Sequence, residues 1–187
     1  MVAAVFFLCY HSEVKENDRM SVVIGIDPGL ASTGYGIVAS DSQRLVCIDY
    51  GVIETSSKDA HQNRLLTIFT EVNKILEHFS PYAAGMETLY FAKNVTSAMC
   101  VSEARGVVTL ALALHNIPLG EYTPHGIKQA VVGIARADKR QVQESVRLLL
   151  GLGEIPKPDH AADALAAAIT RIHSAKTAEL IGRGKNV

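Results

Sequence analysis

Apolar residues in this chain follow two periods. Val22-Val23-Ile24-Gly25-Ile26 is a continuous, mostly β-branched run, as expected of a strand covered on both faces, and Pro28-Gly29 breaks it. Thr33–Ala39 and Leu45–Ile53 are two further strand-like stretches, separated by a polar turn at Ser40–Arg44. Both connections are short, which predicts an antiparallel meander. From Leu65 the period becomes helical: Leu65, Leu66, Ile68, Phe69, Val72, Ile75, Leu76 and Phe79 share a face, and Ser80-Pro81 stops the pattern. Ala83–Glu87 predicts a short strand, Asn94–His115 a long and largely buried helix rich in Ala, Val and Leu, and Pro118–Tyr122 a fifth strand. Pro124 opens a helix that Gly133 ends. Asp138 caps another that runs through Gln141, Val142, Val146 and Leu149 to Gly151. Pro158-Asp159 leads into a last, alanine-rich helix, Ala161–Ser174. The order β-β-β-α-β-α-β-α-α-α predicts one mixed α/β domain with a five-stranded sheet flanked by helices.

The first twenty residues stand apart. Val2–Cys9 is apolar but too short to span a bilayer, and it lacks the positively charged start and the small-residue cleavage site of a signal peptide. A polar stretch, His11 to Arg19, follows, and Met20 sits directly before the first strand. Residues 1–20 are expected to be an extension that is disordered or not native, with Met20 as the natural start. Residues 21–175 are expected to form the single domain and 176–187 a basic C-terminal tail. No segment reaches transmembrane length, so no membrane association is expected.

Composition narrows the class. The chain has 187 residues, 48% hydrophobic and 20% charged, which excludes disordered, collagenous and coiled-coil chains. Its formal net charge is -1, so no strongly basic nucleic-acid binder shows in the totals. Without residues 1–20 the charges balance, 16 basic against 16 acidic. That balance conceals clusters. Lys128, Arg136, Lys139, Arg140 and Arg147 are opposed between 128 and 147 by only Asp138 and Glu144. Arg171, Lys176, Arg183 and Lys185 are opposed from 171 onward by only Glu179. The three cysteines, Cys9, Cys47 and Cys100, have no metal or redox spacing; they fit a reducing compartment and a cytoplasmic location.

Candidate chemistry lies at strand ends. Asp27 ends the first strand, Glu87 ends the fourth, and Asp159, His160 and Asp163 begin the last helix. In an open α/β sheet the carboxyl ends of the strands line the ligand crevice. A carboxylate placed there needs a cation or a salt-bridge partner, and no Lys or Arg flanks Asp27 or Glu87 closely in sequence. A hard divalent ion such as Mg²⁺ suits oxygen ligands of this kind. Taken singly, Asp27 before Pro-Gly reads as a turn residue, Asp159 as a helix cap and His160 as a first-turn surface histidine; it is the grouping of all of them that carries the metal reading. Gly34-Tyr35-Gly36-Ile37-Val38-Ala39 matches a dinucleotide-binding pattern but lies inside a strand and opens no helix. Tyr90-Phe91-Ala92-Lys93 follows Glu87 and offers aromatics beside a lysine for base stacking, or a hydrophobic anchor for the helix after it.

Together these segments resemble the RuvC family of Holliday-junction resolvases. The resemblance rests on Val23–Gly29 with Thr33–Gly36, on Glu87 followed by Phe91–Asn94, on Glu103-Ala104-Arg105-Gly106, on Lys128–Gly133 and on Asp159–Ala166, and it covers about residues 22–173. It implies a ribonuclease-H-like fold and a homodimer that cuts four-way DNA junctions symmetrically in recombination and repair, with a branch-migration helicase complex as partner. Carried over by position, Asp27, Glu87 and Asp163 match catalytic, metal-binding carboxylates. His160 falls where many members carry a fourth acidic residue, with Asp159 as the alternative ligand. Lys128 matches a catalytic and DNA-binding lysine, Lys139 a DNA-binding one, and Tyr90 a base-stacking aromatic; Phe91, Lys93 and Arg140 are further DNA-binding candidates. The implied cofactor is Mg²⁺, two per active site and roughly 4 Å apart, with Mn²⁺ as a substitute. A rival reading, an actin-like or sugar-kinase-type ATPase, needs a second half-domain for which the chain is expected to lack room. A non-catalytic nucleic-acid-binding relative would not need Asp27, Glu87 and Asp163 together.

Overall fold

The computed structural model describes residues 21–41, 44–88 and 95–184, with side chains left aside at 95–97 and 179–184. Residues 1–20, Tyr90, Phe91 and Lys93 lie outside the described residues, as does the end of the expected tail, 185–187. Ten elements follow in chain order: β1 (Ser21–Asp27), β2 (Ser32–Ser40), β3 (Leu45–Glu54), α1 (His61–Phe79), β4 (Ala83–Glu87), α2 (Val95–Leu114), β5 (Leu119–Tyr122), α3 (Pro124–Val132), α4 (Lys139–Leu149) and α5 (Asp159–Gly184).

The strands form one sheet in the order β3-β2-β1-β4-β5. β1, β2 and β3 are the antiparallel meander expected from their short connections. β4 runs parallel to β1, and β5 parallel to β4, because helices form both crossovers. The pleat sends alternate side chains to opposite faces. Ile24, Ile26, Ile37, Ala84 and Met86 point to the face covered by Ile68, Val72 and Leu76 of α1 and Ala104, Val108 and Leu112 of α2. Val23, Val38 and Ala83 point to the other, covered by Ile127 and Val131 of α3, Val142 and Val146 of α4, and Leu165, Ile169 and Ile172 of α5.

Local signals set most element ends. Ser80 takes a left-handed conformation (φ 46°) at the end of α1, and its N–H donates to Leu76 O. Thr123 caps α3, with Pro124 in its first turn, and Gly133 ends it at φ 81°. Asp138 and Gln141 form a reciprocal capping box at the start of α4. The last helix departs from expectation. It starts two residues earlier than Ala161 and continues to Gly184, so the segment expected as tail from 176 begins as helix. Ala175 to Ile181 contains no glycine or proline to stop it, and Lys176 Nζ ties it to the carbonyl of Asp41 at 3.0 Å.

Helix α5 lies directly on the centre of the sheet. An ideal Cβ at Gly25 of β1 would sit 1.9 Å from the carbonyl oxygen of Ala164. Gly25 together with the alanines of α5 permits this approach, which brings the first turn of α5 to the carboxyl ends of β1 and β4.

Candidate active site

Alternation aims the strand-end carboxylates. Gly25 of β1 faces α5, so Asp27, two residues on, leaves the sheet on the same side. Glu87 does likewise after Ala83 and Gly85 of β4, and Gly85 also abuts α5 at Ala167. Asp163 comes to meet them from the first turns of α5. The three carboxylates therefore arrive from three elements at one end of the sheet.

The segment leaving Asp27 is anchored. Thr33, fully buried, donates from Oγ1 to the carbonyl of Gly29 at 2.8 Å and accepts from Gly29 N at 3.3 Å. Thr55 Oγ1 donates to Leu30 O at 2.5 Å, Thr55 N donates to Ala31 O at 3.0 Å, and Arg64 Nε donates to Thr55 Oγ1 at 2.8 Å. At the end of β4, Thr88 N donates to Tyr122 O at 2.8 Å.

Charge defines the site. Burial pushes the Glu87 carboxyl above the usual carboxylate range, and repulsion from Asp27 and Asp163 adds to it, while the Lys128 ammonium acts in the opposite sense. Burial likewise raises Asp163, which Asp27 also raises and Lys139 lowers. Hydrogen-bond donors of the chain reach in among these oxygens. His160 Nδ1 lies 2.6 Å from Asp27 Oδ2. Lys139 Nζ lies 3.3 Å from Asp163 Oδ2 and 2.9 Å from Asp159 Oδ2, and its pKa is raised, chiefly by the bond to Asp159. A carboxylate only accepts, so Nδ1 carries the shared proton, and in the neutral ring Nε2 keeps its lone pair. Among the described residues no three His, Cys, Asp or Glu side chains converge on one point as they stand.

The two alternatives at the start of α5 separate. His160 touches Asp27, whereas Asp159, 65% exposed, is taken by Lys139 and by Gln143 Nε2 at 3.0 Å, which hold its carboxyl below the usual range. Lys128 stands within electrostatic reach of Glu87. Arg140 sits beside Lys139 in sequence, but its charge acts on Glu144, along the outer face of α4. Gln143, Thr55 and Arg64 carry no motif, and only the fold shows their part; Thr33 lies in a segment that carries the resemblance, but its bond to Gly29 shows only in the fold. Cys47 is no nucleophile: burial, with Asp49 beside it, pushes its thiol up to about 12.

Comparison with known proteins identifies the family. A family model described as crossover junction endodeoxyribonuclease RuvC matches residues 23–171. The protein of that name from Treponema denticola is 61% identical over 166 residues, covering 89% of this chain and 93% of its own. The one from Finegoldia magna is 52% identical, covering 82% of this chain and 94% of its own. Among solved structures, Thermus thermophilus RuvC in complex with a Holliday junction substrate superimposes with a TM-score of 0.81 at 35% identity, covering 84% of this chain and 96% of that one. The sheet order and flanking helices are those of a ribonuclease-H-like fold.

Proposed function

The chain belongs to the RuvC family of crossover junction endodeoxyribonucleases, and from that premise we propose that it resolves four-way DNA junctions by paired, metal-dependent phosphodiester hydrolysis. The observation that carries the proposal is electrostatic. Asp27, Glu87 and Asp163 crowd one end of the sheet, and two of them are pushed toward their neutral forms. A cluster of partly desolvated, mutually repelling carboxylates calls for a cation.

The donor set fits a hard divalent ion: three carboxylates from separate elements, plus the imidazole of His160. Lys139 already places positive charge beside Asp163, and His160 donates a hydrogen bond to Asp27. Asp27, Glu87, Asp163 and His160 would hold the ions, His160 through Nε2, with Mg²⁺ the intended metal and Mn²⁺ a substitute. When bound, such ions lower the pKa of a coordinated water and neutralise charge on the phosphate.

The chain's own residues supply the rest. His160 orients the Asp27 carboxylate through the Nδ1 proton. Lys128, beside Glu87, and Lys139, beside Asp163, present positive charge to the scissile phosphate. The basic residues on α3 and α4 would follow the DNA backbone, with Tyr90, Phe91 and Lys93 contacting unpaired bases. Helix α2 offers a face for a second copy of the chain. Met99 and Leu110 are 61% and 55% exposed, and Ser102, Gly106 and Ala113 leave room for close approach along the same stripe. Two-fold pairing through that face would give two sites for two symmetric cuts. A branch-migration helicase partner and a cytoplasmic setting complete the proposal.

The experiment is a cleavage gel with a synthetic four-way junction and a linear duplex of the same sequence. The expected result is paired symmetric nicks in the junction with Mg²⁺, none with EDTA, and no cutting of the duplex. Equal cutting of both substrates, or a junction left intact while ATP is hydrolysed, would refute it.

A further inference from the structure

Arg105 lies midway along α2, with 15% of its side chain exposed. Its guanidinium bridges two strands. Nη1 donates to the backbone carbonyl of Glu87 at 2.5 Å, and Nη2 donates to Oε1 of Glu121. Alternation along β5 explains the second contact. Leu119 packs into the core beneath α1 and α2, so Glu121, two residues on, leaves the sheet toward α2, opposite Met86 in the ladder. The first contact falls on the last residue of β4. Thr88 N, bonded to Tyr122 O, secures the next residue to β5. The backbone of Glu87 is thus held from α2 and from β5, while its carboxyl turns to the opposite face, toward Asp27 and Asp163.

A largely covered cation is costly unless it is partnered, and half of this one's bonding goes to a neutral carbonyl. A planar fork can satisfy a carbonyl and a carboxylate at once in fixed geometry, which a lysine ammonium cannot. We propose that Arg105, locked on Glu121, is a positioning residue that fixes the end of β4 and with it the Glu87 carboxylate relative to Asp27 and Asp163. The proposal rests on Glu87 being a catalytic carboxylate. It also makes α2, the helix with the exposed small-residue face, a direct mechanical neighbour of the cleavage site.

The test compares the full-length chain with Arg105→Gln, Arg105→Lys and Glu121→Gln. Four quantities are measured: single-turnover cleavage of a four-way junction, junction affinity in EDTA, Mn²⁺ binding to the DNA-free protein by electron paramagnetic resonance, and melting temperature. Arg105→Gln is expected to cut roughly 10- to 100-fold more slowly and to bind Mn²⁺ several-fold more weakly, with junction affinity unchanged within about two-fold. Arg105→Lys recovers part of the loss. Glu121→Gln, an exposed change that the fold tolerates even should Arg105→Gln not fold, shows the same signature more weakly. Wild-type rate and Mn²⁺ affinity in every folded variant would overturn the proposal, as would a deficit that vanishes on cooling well below each melting temperature. Cutting by the wild type is the control: its absence overturns the reading of Glu87 itself, and the proposal with it.

Discussion

Gly34 stands opposite Asp27 in the β1–β2 ladder, beneath the first turn of α5. A methyl group added there would meet backbone. An ideal Cβ at Gly34 lies 2.1 Å from the carbonyl oxygen of His160, 2.4 Å from its carbonyl carbon and 3.0 Å from its Cβ. Ordinary contact between heavy atoms is about 3.5 Å, so the start of α5 must retreat by roughly 1 Å or more. Asp27, on the neighbouring strand, does not move with it. The 2.6 Å contact from His160 Nδ1 to Asp27 Oδ2 then opens beyond hydrogen-bonding range, and Asp163, one turn along, is carried off as well. A misplacement of this size costs about 10²-fold in rate, or about 2.7 kcal/mol of barrier. Overpacking costs about 1–3 kcal/mol of stability, and each kcal/mol lowers the melting temperature by about 2–4 °C in a chain of this size. Gly34→Ala should therefore cleave a four-way junction about 100-fold more slowly in single turnover, at a temperature where it is fully folded, and bind the junction in EDTA as the wild type does. Gly153→Ala, with open space around its Cβ, serves as the control and should cut normally. Wild-type cleavage by folded Gly34→Ala would refute the idea that the seat of α5 on β2 sets the site.

The charges lead to three further outcomes. Glu87 has a raised pKa in the fold, so its contribution to stability is fully present below its unfolded pKa and is lost as pH rises through the folded value. Glu87→Gln should therefore melt above the wild type in EDTA at neutral pH, by an amount that solvent screening of this exposed side chain keeps small, with the gap closing toward acid. It should cut no junction, and a variant no more stable than the wild type would contradict the repulsion argument. Because Glu87 and Asp163 must lose their protons to bind metal, the acid limb of wild-type cleavage should begin above the ordinary carboxylate range, read from a pH–rate profile. His160→Asp restores an all-carboxylate set. It should keep junction cleavage and relax any preference for Mn²⁺ over Mg²⁺, whereas loss of cutting in both metals would assign the imidazole a role of its own.

Much of this arrangement was legible along the chain. The β-branched run ending in Asp27, the short strand ending in Glu87 and the Asp159–Asp163 cluster before an alanine-rich helix place the carboxylates without coordinates, because strand ends and helix starts are local properties. What could not be read was set by contacts distant in sequence. The sequence around Asp27 and Glu87 offers no partner, yet His160 bonds Asp27, Lys128 acts on Glu87 and Lys139 pairs with Asp163, all from other elements. The sequence offers His160 as the fourth ligand with Asp159 as the alternative; in the fold Lys139 and Gln143 on α4 hold Asp159, while His160 bonds Asp27. Arg105 belongs to a segment with recognisable family resemblance, but its bond goes to a backbone carbonyl 18 residues away, which no residue pattern encodes. The end of α5 was misjudged because no glycine or proline appears before Gly182 and the polar composition resembles a tail.

In the proposed reading Asp27, Glu87 and Asp163 form the cutting centre of a junction resolvase. Its most direct measurement is cleavage and binding of one synthetic four-way junction by the wild type and by Asp27→Asn, side by side in Mg²⁺. Paired symmetric cuts are expected from the wild type, and no cuts from Asp27→Asn despite undiminished junction binding. Cleavage by Asp27→Asn at the wild-type rate would contradict that reading.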